Sequence, residues 1–328
     1  MRGDVLVIGS KYAYSFGRVR TLEADLIDRG QFKRMAEAST ASEALKVLSE
    51  GSYQELSEGA DIPAIEKALQ EELKAVYDLA QHISPKREIT DLLQLKYDFH
   101  NAKVLLKSEI ASVEPAFLVP FGVVDLEKLK KAFKERLKDL PAPLAKAVEK
   151  ARSEYAETQD TQVIDFVMDQ EYCNALIEQS EEFPFLREFF QMKIDLENIR
   201  NFVRSSKFAI DFEKVFLQGG TLDVKTFHAL EGEPTEGITN TVRTRNYINV
   251  VEDGLKAYEE TGTLVLYERL TEDFLIEYLK RAKMVTLGIE PLLGYILAKE
   301  REVKLIRLIL IGKMRNVDVE KRMSDPYV

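Results

Sequence analysis

The stretch KYDFHNAKVLLKS (96–108) holds the densest group of reactive side chains in the sequence: Asp98, His100, Asn101, Lys103 and Lys107. An acid beside a histidine is the raw material of general acid–base catalysis. Here the spacing defeats it. Leu92, Leu95, Phe99, Ala102 and Leu106 follow the three-and-four spacing of one helical stripe. On a helix, residues two apart face away from each other, so Asp98 and His100 cannot share a proton.

Other reaction signatures are missing. Neither a phosphate-binding GxxxxGK[ST] nor a GxGxxG loop occurs. His82, His100 and His228 lie far apart with no HExxH, and a single Cys173 rules out a Cys-rich metal site and an intrachain disulfide. No GxSxG elbow is present. The sequence therefore offers no catalytic residue, no cofactor site and no metal site.

The elements that carry these residues are helical almost throughout. With 16 Gly, 10 Pro and no Trp in 328 residues, the composition favours helices over turn-rich β architecture. Strand character is confined to VLVIG (5–9). Breaks are expected at 83–86, 114–122, 140–143, 217–221 and 232–234. The fold class is all-α. A net charge of −10 argues against nucleic-acid binding, which needs a basic footprint. LIRLILIG (305–312) is interrupted by Arg307 and falls far short of the roughly 20 residues of a membrane span. The apolar run near the N-terminus is shorter than a signal-peptide core of about 7–15 residues, so a cytoplasmic protein without a direct membrane span is expected.

The chain repeats itself. DFHNAKVLLK from Asp98 returns as DLENIRNFVR from Asp195 and, more weakly, as EVKLIRLILI from Glu302, at offsets of 97 and 107 residues. Each copy begins with an acid and carries a base five residues on: Lys103, Arg200 and Arg307. Two copies share Asn101 and Asn198, with Lys107 and Arg204 at the tenth place, where the third has Leu305 and Ile311. Gly122-Val-Val-Asp125 matches Gly220-Thr-Leu-Asp223, and Tyr53, Tyr155 and Tyr247 each close a short helical stretch. The position of His100 holds Glu197 and Lys304 in the other copies, which no shared catalytic base would tolerate. Three helical units of about 100 residues follow, with boundaries at 1–118, 119–216 and 217–328. In the N-terminal segment, Arg18 and Arg20 are expected near the start of a helix faced by Leu22, Leu26 and Ile27 and ended by Gly30.

YAYSFGRVRTLEADLI (12–27), FKRMAEASTASEALKVLSEGSY (32–53) and the C-terminal YILAKEREVKLIRLILIGKMRNVDVEKRMSDPYV (295–328) resemble the C subunits of the A/V-type rotary ATPases, whose vacuolar counterpart is the d subunit. The resemblance covers essentially the whole chain. It implies a funnel-shaped all-α protein of three similar units about a pseudo-threefold axis. Such a non-catalytic rotor part sits peripherally on the cytoplasmic face of the cell membrane, within a membrane complex. There it links the shaft, made of the D and F subunits, to the membrane proteolipid ring, and passes on rotation that couples ATP hydrolysis or synthesis to H+ or Na+ transport.

The residues expected to touch partners or line the axis are Arg18, Arg20, Asn101, Lys103, Lys107, Asn198, Arg200, Arg204 and Arg307. Two other readings compete. An unrelated α-helical repeat scaffold would more often repeat every 20–50 residues or so. An all-α enzyme working through Asp98, Asp195 and Glu302 has no substrate suggested by any residue.

Overall fold

The computed structural model describes residues 2–328 except 52, 54, 55, 57, 58, 136, 231–233, 287 and 318; for residues 2–12 and 234 it describes the backbone alone. The described residues are all-helical, with no strand among them. VLVIG, expected as a strand, lies inside the first helix. The expected break at 232–234 falls largely outside the described residues.

In chain order the helices are α1 (Arg2–Glu23), α2 (Arg29–Glu37), α3 (Ala41–Ser49), α4 (Ile62–Ile83), α5 (Arg87–Ala111), α6 (Leu126–Lys134), α7 (Ala142–Thr158) and α8 (Gln162–Gln179). They continue as α9 (Pro184–Phe208), α10 (Phe212–Val215), α11 (Val224–His228), α12 (Pro234–Thr241), α13 (Ile248–Thr261), α14 (Val265–Lys280) and α15 (Glu290–Met314). Arg18 and Arg20 thus sit near the end of α1, not its start. Leu26 and Ile27 follow α1, and Gly30 opens α2 instead of ending a helix.

Two compact units result. Residues 88–248 form one. Its core joins Phe99, Ala102 and Leu106 of α5 to Leu144 and Val148 of α7 and Met168 of α8. The other brings residues 1–87 together with 249–328. At its centre α15 packs against α1, α3 and α4, and Leu293, Ile296, Ile306, Ile309 and Leu310 are all fully buried. Each such side chain contributes about 1.5–3 kcal/mol by leaving water. Its neighbour α4 starts where the Asp61 carboxylate accepts from Ala64 N at 2.9 Å, with Pro63 in the first turn. The stripe Ile65, Leu69, Leu73, Val76, Ala80 and Ile83 is its buried face.

The three copies end alike. Ser112, Ala209 and Asn316 each take the left-handed conformation, at φ 53°, 53° and 52°. The next amides, of Val113, Ile210 and Val317, donate to the carbonyls of Ser108, Ser205 and Gly312 at 3.0, 3.1 and 2.8 Å. This is the six-to-one bond that closes a helix C-terminus in the Schellman motif. Every one of these residues sits at the same distance from its copy's acid, so the offsets of 97 and 107 read from sequence are also structural offsets.

Candidate functional site

The repeated acids are anchors for the chain, not reagents. Asp98 is 1% exposed, and its carboxylate accepts from Val123 N and Val124 N, both at 3.1 Å. Asp195, 0% exposed, accepts from Leu222 N at 3.0 Å, Thr221 N at 2.6 Å, Thr221 Oγ1 at 2.5 Å and Tyr247 Oη at 3.0 Å. Glu302, 3% exposed, accepts from Ile27 N at 2.7 Å, Tyr53 Oη at 2.8 Å and Lys299 Nζ at 2.8 Å. In each copy one anchored amide belongs to the residue just before an N-capping aspartate: Asp125 of α6, Asp223 of α11 and Asp28 of α2.

The third copy therefore closes on the N-terminal segment, with Asp25-Leu-Ile-Asp28 in the place of Gly122-Val-Val-Asp125. A Cβ on Gly122 or Gly220 would overlap the carboxylate of Asp98 or Asp195. Glu302 reaches one methylene further, and its loop carries Asp25 where the others need glycine. Gly122→Ala is accordingly expected to cost about 1–3 kcal/mol through overpacking, read from the urea midpoint at unchanged slope. Two of the three repeated tyrosines act alike, since Tyr53 and Tyr247 both donate to the acids. Tyr155 lies inside α7, so it does not close a helical stretch.

The other expected contact residues are also drawn into the body. Asn101 grips Val119, donating to its carbonyl and accepting from its amide, both at 2.8 Å. Asn198 holds Leu217 in the same way at 2.8 and 2.7 Å. Leu305, in their place, is simply buried. Lys103 pairs with Asp169 at 2.7 Å and Lys107 with Asp165 at 2.6 Å, both acids on α8. Arg307 Nε donates to both oxygens of Glu66 on α4 at 2.8 and 3.0 Å. Arg200 pairs with Glu197 one turn away.

Arg20 pairs with Glu23, stacks on Phe16 at 4.9 Å and donates to the carbonyl of Lys283 at 2.5 Å. Arg18 and Arg204 alone among the nine are exposed with no ion pair among the described residues. His100 is exposed, with Nε2 3.1 Å from the carbonyl of Phe117. No signal in the sequence foretold that contact. Cys173 is buried, which pushes its thiol up to about 12 and away from thiolate chemistry.

Burial pushes the Asp98 carboxyl up to about 7, against the two amides that favour its charge. An ordinary aspartate sits near 3.9, so the folded state binds the proton more tightly than the unfolded state. Stability from this group is greatest below about pH 4 and falls as pH rises towards 7. Asp98→Asn should remove that downward slope, of at most about 1.4 kcal/mol per pH unit. Urea midpoints of both proteins between pH 4 and 7.5 test it, and parallel profiles would contradict it.

The arrangement is a set of buried polar clamps that fix loops against long helices. Among the described residues no group of three His, Cys, Asp or Glu side chains could hold a metal, and no helix is long and apolar enough to cross a membrane. Comparison with known proteins agrees with a structural part. A model of the ATP synthase (C/AC39) subunit matches residues 16–324. The C subunit of the A-type ATP synthase of Methanocaldococcus jannaschii is 27% identical, over 95% of this chain and 85% of its own length. The C subunit of the V-type sodium ATPase of Enterococcus hirae is 27% identical, over 94% of this chain and 97% of its own. From the helix before the first anchor to the tail after the last, one family accounts for the sequence, and the chain belongs to it: the C/AC39 subunits of A/V-type ATP synthases, which are non-catalytic.

Proposed function

We propose that this chain is the coupling piece of a central rotor, a socket that receives the D and F subunits of the shaft and rests on the membrane proteolipid ring. It would pass rotation between them, so that ATP hydrolysis or synthesis is tied to H+ or Na+ transport. The observation that carries this reading is the family match, which runs over nearly the entire chain and not over a borrowed segment. The Enterococcus relative is by name the C subunit of a V-type sodium ATPase. The chain would lie on the cytoplasmic side, peripheral to the cell membrane, reaching the bilayer through the ring.

A part that carries torque must not deform. The polar clamps on Asp98, Asp195 and Glu302 suit that demand, because buried networks with their partners met hold one arrangement. In this reading the sequence holds three units, 1–118, 119–216 and 217–328, with residues 25–28 completing the third. Contacts that must not slip are assigned first to Arg18 in one unit and Arg204 in the other, whose guanidinium groups are exposed. Charged groups fix orientation across an interface better than apolar contact does. Arg20, Asn101, Lys103, Lys107, Asn198, Arg200 and Arg307, each held by a partner within its own unit, serve by stiffening the body.

The test is functional. Vesicles carrying the complete ATPase should hydrolyse ATP and accumulate the transported ion. Vesicles assembled without this chain should keep hydrolysis and lose accumulation, and adding the purified chain should restore it. Ion accumulation at the full rate without the chain would refute the proposal.

A further inference from the structure

One of the three clamps closes across a gap in the chain. In the first two copies the gripped loop follows its own helix, so Asp98 and Val124 are 26 residues apart and Asp195 and Leu222 are 27. The third acid, Glu302, grips Ile27, 275 residues away. No short stretch of chain ties the corner between α1 and α2 to the helix that holds it.

The segment that follows α15 is fastened to both sides of that corner. In the other copies Asn101 and Asn198 hold the corresponding segments, but Leu305 offers no such grip. Tyr327, 2% exposed, instead donates its hydroxyl to Glu23, the last residue of α1, at 3.3 Å. Asp325 pairs with Arg29, the first residue of α2, at 3.2 Å. The Asp325 amide also donates to Asp273 of α14 at 2.5 Å. Ile27, the residue in the grip of Glu302, lies between the two attachments along the chain.

The tyrosine sits in a slot made for it. Lys283, in the turn after α14 (Arg281–Met284), donates to the Tyr327 carbonyl at 3.1 Å and stands 4.3 Å from the centre of its ring. Glycine weakens a helix interior, yet α15 carries Gly294, where a Cβ would lie 2.9 Å from Tyr327 Oη and 3.0 Å from Ala282 Cβ. Gly312 follows 18 residues later, a whole number of helical turns, so it lies on the same side of α15. A Cβ there would overlap Val319 Cγ1. The two glycines are notches for the segment that returns along the helix. The walls of the slot also meet without it, because α1 and the 281–284 turn both pack on α15 directly.

We propose that residues 323–328 are a detachable latch over the α1–α2 corner, and that the slot beneath Tyr327 is a peptide-binding site filled by this segment of the same chain. When the latch leaves, the corner loses both attachments, and the third copy opens at this seam while the other two stay closed. The latch is independent of the rotor reading, since every contact in it lies within one unit. In the full chain, Tyr327→Ala should speed hydrogen exchange of the amides of residues 25–28 by about tenfold or more and leave those of Val124 and Leu222 unchanged. Tyr327→Phe, which loses only the bond to Glu23, should shift the same amides less.

The slot is tested with the chain shortened after Arg322 and a fluorescent peptide of residues 323–328. The peptide should bind the shortened chain and return exchange at residues 25–28 to the rate of the full chain. It should bind the full chain about tenfold or more weakly, because there the slot is already filled. The same peptide with alanine in place of Tyr327 should bind neither. Unchanged exchange at residues 25–28 in Tyr327→Ala would overturn the latch. Equal acceleration at Val124 and Leu222, or loss of amide protection in α4 in either altered chain, would make the segment part of the core and overturn it too. A shortened chain that stays folded and does not bind the peptide would overturn the peptide-binding site.

Discussion

Lys299→Met is expected to destabilise the protein by about 3–5 kcal/mol, the range for breaking a buried ion pair from one side. Lys299 is 2% exposed, and its ammonium lies 2.7 Å from Glu72 and 2.8 Å from Glu302. It also sits over the ring of Tyr53 at 5.1 Å. Burial alone would lower its pKa, but Glu302 and Glu72 outweigh that and hold the ammonium above its ordinary value. Met keeps most of the volume and removes the charge. Glu302 is then left in the core with only the amide of Ile27 and the hydroxyl of Tyr53.

Adding Glu302→Gln should recover part of the loss, because an amide needs no counter-charge and its oxygen still accepts one hydrogen bond. The double variant is therefore expected to be more stable than Lys299→Met alone. Replacing Glu302 by an apolar residue should not help, since Ile27 N and Tyr53 Oη would lose their acceptor. Urea unfolding of the three proteins decides the matter. A change of under about 0.5 kcal/mol for Lys299→Met, as for an ordinary surface position, would contradict the assignment.

Asp195→Ala should cost a similar amount, about 3–5 kcal/mol. Four donors converge on this carboxylate: two amides, the Thr221 hydroxyl and the Tyr247 hydroxyl. Each buried donor left without an acceptor costs about 1–3 kcal/mol, and water entering the vacated space offsets part of the total. The loss should be local before it is global, so the amides of Thr221 and Leu222 should exchange hydrogen faster than the helix amides of α9.

A double-mutant cycle sharpens this test. Gly220→Ala is costly largely because its Cβ would overlap Asp195 Oδ1. In the Asp195→Ala background that clash is gone, and Ile194 Cγ2 at 3.1 Å is the remaining close neighbour. The two substitutions together should cost less than the sum of each alone. Strict additivity would show that the glycine serves something other than the carboxylate.

Much of the fold was legible in the sequence. The helical class followed from periodicity, and the acid, the base five residues on and the glycine–aspartate pair recurred at offsets the structure keeps. The extent of α1 was not legible, because VLVIG alternates too briefly to separate a strand from a helix. Nor was the closure of the third copy. Asp25-Leu-Ile-Asp28 lies far from Glu302 along the chain, with Ile27 and Glu302 275 residues apart, and its glycine is replaced. Only the length of the glutamate side chain makes that replacement sensible. The repeated bases read as a polar edge reaching for a partner, yet most are taken by acids on neighbouring helices. Periodicity reports which face a residue occupies; it does not report what stands opposite.

The rotor reading itself is tested most directly by assembly. The purified chain, a D–F complex and detergent-solubilised proteolipid ring are mixed, and the mass of the product is measured at low and moderate salt. One complex containing all three is expected, and it should not form when this chain is omitted. A shaft that joins the ring equally well without it, or a chain that binds neither at either salt concentration, would contradict the rotor reading.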